Sequence, residues 1–233
     1  MPKSKRVLFY VALMLIILFL WNTGAMYPVR MLAVFFHESW HTLASLLTGG
    51  RIKEFVLVPQ EGGHVITEGG NVALVATAGY LGSLLSGALI LAVSDRTTLD
   101  RWVSGLLGAL IIFMGFAFGD TSFTVLFCLI VGAGLMGVSL FLPSEINDLI
   151  LRFLGLAVML YAPYDIFTDV FLGNGYLTDA GLLSERIGGS PRMWGTVWML
   201  LSLLCIAAVL SCIMGKPLPG EAQSEANDSE NLG

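Results

Sequence analysis

The chain has 233 residues, 56% of them hydrophobic and 12% charged, with a mean hydropathy of +0.81 and a formal net charge of −5. Soluble domains carry about 25% charged residues, so this composition excludes an ordinary soluble enzyme and a disordered chain. Nucleic-acid binding is excluded by the acidic balance, because phosphate recognition needs a basic patch.

The N-terminus is basic (Lys3, Lys5, Arg6) and runs into an apolar stretch at 7–21, read as an uncleaved first span. Further apolar stretches of roughly membrane-crossing length follow at 27–47, 71–93, 102–118, 122–142, 149–161 with some continuation, and 193–214. The expected fold is therefore an all-α polytopic membrane protein with six or seven transmembrane helices. It forms one membrane-embedded domain over 1–215, followed by a disordered acidic tail at 216–233. Between the second and third spans, 51–68 has β-branched runs on either side of Pro59-Gln60-Glu61-Gly62-Gly63, the signature of a β-hairpin. The only formal charge from Trp102 to Leu142 is Asp120, in Gly119-Asp120-Thr121-Ser122, which is turn chemistry. Cys128, Cys205 and Cys212 lie in apolar runs without a CxxC pair and read as small packing residues. With the N-terminus inside and seven spans counted, Lys and Arg favour the inner side by seven to five.

The second span contains His37-Glu38-Ser39-Trp40-His41, a His-Glu-x-x-His pattern. Residues four apart share a helix face, so His37 and His41 can offer both imidazoles to one metal ion. Glu38, offset by about 100° on a helix of 3.6 residues per turn, is placed to act as general base on a metal-activated water. Zinc suits two nitrogens and one oxygen ligand with a position left open. Ionisable residues within a membrane helix are costly and mark function, and two of only three histidines fall here. In line with them lie Arg30, Ala33, Ala44, Ser45 and Thr48, and Leu32, Phe36, Trp40, Leu43 and Leu47 occupy the other side. The third span carries Gly79, Gly82, Ser83, Ser86 and Gly87, small residues that allow close contact with the metal helix.

These features resemble the site-2 protease family of intramembrane zinc metalloproteases, in its compact bacterial-type branch. The residues that carry the resemblance are His37-Glu38-x-x-His41, then Leu47-Thr48-Gly49-Gly50-Arg51, the hairpin with Gly62-Gly63, and Ala78-Gly79-Tyr80-Leu81-Gly82 in the next span. The resemblance implies zinc as cofactor and Glu38 as catalytic base. It also implies a membrane-protein or membrane-tethered peptide substrate, a location in the bacterial cytoplasmic membrane, and a third metal ligand, an Asp from a later span. The family's Leu-Asp-Gly setting for that Asp is missing. The nearest equivalent is Tyr161-Ala162-Pro163-Tyr164-Asp165-Ile166-Phe167-Thr168-Asp169. Asp165 is the expected ligand and Asp169 the alternative, since both share a face and reach a depth similar to His37 and His41. Asp120 and Asp179 are further candidates for that ligand, with Asp120 also fitting the turn above and Asp179 the cap of the short helix that follows. His64 is read as a surface group, a supporting polar residue or a substrate contact. The resemblance further implies that the hairpin takes the substrate as an extended strand, although an amphipathic hairpin lying at the interface fits the same residues. Two other functions fit parts of the pattern. One is an inactive family descendant acting as a membrane binding or regulatory protein, and the other is a metal transporter.

Overall fold

The computed structural model describes residues 3–173 and 175–215. The expected acidic tail lies outside the described residues. In chain order the elements are α1 (Lys3–Leu20), α2 (Tyr27–Leu47), β1 (Arg51–Val58), β2 (Gly62–Glu68), α3 (Val72–Arg96), α4 (Asp100–Phe118), α5 (Ser122–Phe141), α6 (Ser144–Ile166), α7 (Asp179–Ile187) and α8 (Pro191–Gly215). A short 3₁₀ turn at Gly24–Met26 precedes α2, and a π-helical turn at Phe167–Leu172 follows α6.

The protein is an all-α integral membrane protein with one small antiparallel hairpin. Among the described residues, five helices are long and apolar enough to cross a bilayer, namely α3, α4, α5, α6 with its π extension, and α8. The first two expected spans are both helical, but they meet at a bend of 111° and together count as at most a sixth span. Two features of the sequence account for this. Trp21–Met26 breaks the helix, with the Thr23 hydroxyl donating back to Leu20 O at 2.6 Å, and Pro28 opens α2 where its missing N–H costs nothing. In addition, α2 carries His37, Glu38 and His41, which lower its apolarity.

The helices meet where side chains are small. Gly79 and Gly82 of α3 face α2, and the Trp40 indole donates to Ser86 Oγ at 2.8 Å. Gly87 turns the other way. It crosses Gly155 of α6 so closely that a Cβ on Gly155 would stand 2.6 Å from Leu91 N. The small-residue stripe of α3 therefore serves two neighbours, α2 and α6. At the far end of α3, Arg6 and Tyr10 of α1 bind the Asp95 carboxylate, and Ser94 and Arg152 bind that of Asp148.

The hairpin runs back along α2 toward that helix's own N-terminus. Phe55 is fully buried against Phe35, with ring centroids 6.2 Å apart. Glu61, in the turn with φ 63°, accepts from Arg30 at 2.5 and 2.6 Å, and Tyr27 donates to Pro59 O at 3.0 Å. The turn between α4 and α5 seals the outer edge of β1. Asp120 Oδ2 accepts from the Phe55 N–H at 2.7 Å, and Thr124 Oγ1 accepts from the Leu57 N–H at 2.9 Å. Asp120 is thus the expected turn residue and also a clamp on β1. The other edge of the sheet, that of β2, has no strand beside it among the described residues.

Candidate metal centre

His37 and His41 lie one turn apart on α2, with ring centroids 4.7 Å apart and both side chains buried. His41 Nδ1 lies 2.7 Å from Val75 O. A carbonyl only accepts, so Nδ1 carries a proton there and Nε2 is the ring nitrogen left to serve as a metal ligand. Both Nε2 atoms point at one space beside Gly79, where an added Cβ would stand 2.5 Å from each of them. Any side chain at position 79 would fill that space.

The carboxylate that closes the group is Asp179. Its Oδ2 lies 3.1 Å from His37 Nε2 and 3.1 Å from His41 Nε2. Ligand atoms from His37, His41 and Asp179 all fall within 4.8 Å of one another. Ligands held about 2.0–2.2 Å from one tetrahedral zinc ion stand roughly 3.3 Å apart, so the three side chains fit that ion. Burial pushes the Asp179 carboxyl up, but the two imidazoles outweigh it and hold the group well below the usual carboxylate range.

Asp179 reaches this position because α7 packs against α3 and α8 through a small apolar cluster, with Tyr80, Ile166, Val170, Ala180, Leu183 and Trp198 all buried in it. The N-cap of α7 is Thr178, whose hydroxyl accepts from Gly181 N. Asp179 is the first helical residue, which corrects its reading as the cap. A signal was present in the sequence: Thr178 can cap alone, which leaves the neighbouring Asp carboxylate unspent.

Asp165 and Asp169 also arrive at the site, on other sides of it. Asp165 Oδ2 lies 3.5 Å from His37 Nδ1, the nitrogen facing away from the shared space. Asp169 Oδ2 accepts from the Tyr80 hydroxyl at 2.8 Å, and the Tyr80 ring stands edge-on to His37 at 4.8 Å. Pro163 lies within α6, and the widened π turn that follows carries Asp169, as such turns often do at functional sites.

Glu38 is buried beside the histidines under β2. A Cβ on Gly63 would stand 2.9 Å from Glu38 Cγ and 3.1 Å from Oε1, so the strand passes directly over this carboxylate. His64 sits at the rim, half-exposed, with Nε2 3.4 Å from Glu54 Oε2. A cavity of about 650 Å³ opens over the centre. It is lined on one side by Gly62–His64 and on the other by Tyr176–Asp179, with His37, Glu38 and His41 along its wall.

A family model described as Peptidase M50B-like matches residues 10–209. The chain belongs to the Peptidase M50B-like family. Membership points to a membrane-embedded metallopeptidase, in agreement with the apolar helices and the His/His/Asp group. No curated protein and no solved structure matches the chain. Within this M50B-like fold the matched region takes in every residue of the centre, from His37 to Asp179.

Proposed function

We propose that this protein is an intramembrane zinc metallopeptidase that hydrolyses peptide bonds of membrane-protein or membrane-tethered substrates. The observation that carries this reading is the convergence of His37 Nε2, His41 Nε2 and Asp179 Oδ2 on one space, with the Glu38 carboxylate beside it. In this reading His37, His41 and Asp179 hold the ion. Zinc in that position supplies Lewis acidity, polarising a peptide carbonyl and lowering the pKa of water.

The chain's own residues do the remaining work. A membrane helix shields its backbone by internal hydrogen bonds, so a substrate must unwind before attack. Strand β2 offers an extended edge for the unwound segment, and β1 cannot, because Asp120 and Thr124 occupy its N–H groups. A segment paired along Gly62–Thr67 lies across the cavity mouth above Glu38. Glu38 then takes a proton from the attacking water and delivers it to the departing amine. The Val75 carbonyl keeps the His41 ring in the tautomer that presents Nε2.

Zinc content of the purified full chain, wild type against Asp179→Ala, tests the ligand set. Wild type is expected to retain zinc through dialysis and Asp179→Ala to lose it. A wild-type chain that binds no zinc overturns the proposal.

A further inference from the structure

We propose that Asp165 is a positioning residue that holds the His37 imidazole by its Nδ1 atom and does not itself ligate the metal. The inference rests on the metal reading above, with Nε2 of His37 as the ligand atom. When Nε2 binds a cation, the ring proton must sit on Nδ1, and a buried N–H needs an acceptor. The two histidines solve this differently. His41 uses a backbone carbonyl, Val75 O at 2.7 Å. His37 Nδ1 is buried and has no hydrogen bond among the described residues. The carboxylate facing it is Asp165, with Oδ2 at 3.5 Å and side chains only 11% and 17% exposed. A shift of a few tenths of an ångström turns that approach into a charge-assisted hydrogen bond, and catalytic hydrogen bonds commonly tighten this way once the site is loaded.

The neighbouring carboxylates are committed elsewhere. Asp169 is held by the Tyr80 hydroxyl at 2.8 Å, and Asp179 lies on the Nε2 side of both rings. The His37 ring is wedged between His41 and Tyr80, with centroids at 4.7 and 4.8 Å, which limits how far it can turn from Asp165. The acidic pair that looks in the sequence like two rival ligands is therefore divided. Asp165 serves a ligand, and Asp169 serves the tyrosine that flanks it.

Cobalt(II) titration of the full chain in lipid nanodiscs tests this, because the visible ligand-field bands report the ligand set independently of activity. Asp165→Asn, close in size to the native residue, is expected to weaken cobalt binding about 10–100-fold while keeping the wild-type bands. Asp169→Asn, the charge control one turn on, is expected to lose distinctly less. Wild-type affinity in Asp165→Asn overturns the proposal. So does an equal loss in both variants, which would show a general charge effect, and so do altered bands in Asp165→Asn, which would show direct ligation. A purely structural role would lower the melting midpoint of the metal-free chain and leave affinity per folded chain unchanged, which also overturns it. Failure of the underlying reading looks different. If Asp179→Asn keeps wild-type affinity and bands, the assignment of Asp179 falls. If wild type takes up no cobalt, the metal centre falls and this inference with it.

Discussion

Gly79 shows how a residue without a side chain can define a candidate metal site. Both imidazole Nε2 atoms aim at the volume its Cβ would occupy, so Gly79→Ala is expected to weaken zinc binding severely and leave the helices intact. Metal analysis with circular dichroism checks this, and undiminished zinc in the variant would contradict the geometry. Much of this centre is readable from sequence, because spacing alone puts His37, Glu38 and His41 one turn apart on a helix that is otherwise apolar. Depth along the spans also brings Asp165 close to them. The side of the imidazole on which each carboxylate falls cannot be read that way. It depends on α7 packing against Tyr80 and Trp198, a tertiary contact with no local pattern, and so the sequence leaves Asp179 as one further candidate that can equally cap a helix.

At the scale of elements, the hairpin is legible as β-branched runs about a Gly-rich turn, but its location is not. An interfacial ribbon and an edge above the site share the same residues. The choice is made by Asp120, 65 residues from Phe55, and by Arg30. Asp120→Ala removes the acceptor of the part-buried Phe55 N–H, a loss of about 1 kcal/mol for a hydrogen bond that water can partly replace. A lowered melting midpoint is expected, and an unchanged one would show that the clamp carries no stability. The Arg30 guanidinium donates to Glu61 and holds its carboxyl below the usual carboxylate range despite partial burial. A carboxylate with a depressed folded-state pKa stabilises fully above about pH 4.3, its ordinary value, and loses that contribution as pH falls through the lowered one. Partial exposure limits the pair to about 1 kcal/mol. A fluorophore at Gln60 should report the turn loosening in that acid window, and in Glu61→Gln the signal should not change with pH there.

Across the whole molecule, the buried charge among the described residues gathers in two places, the candidate metal centre and the Arg6–Asp95 network at the other end of α3. The elbow between α1 and α2 explains why the described residues hold at most six spans: a Trp21–Met26 break bends two apolar stretches by 111° instead of stacking them as separate crossings. Because the proposed ligands come from α2 and α7, zinc bound there would tie together elements far apart in the chain. At zinc about 1,000-fold above its Kd that linkage is worth about 4 kcal/mol. Zinc is therefore expected to raise the melting midpoint of wild type and leave that of Asp179→Ala unmoved, with equal shifts in both arguing against a shared site. The most direct test is cleavage of a membrane-tethered peptide in proteoliposomes by wild type and Glu38→Gln, with zinc content measured in both. The expected result is equal zinc and cleavage reduced about 10²–10⁴-fold in the variant, the usual worth of a general base. Equal cleavage by the two proteins, or none by zinc-loaded wild type, would contradict an intramembrane peptidase built on His37, Glu38 and His41.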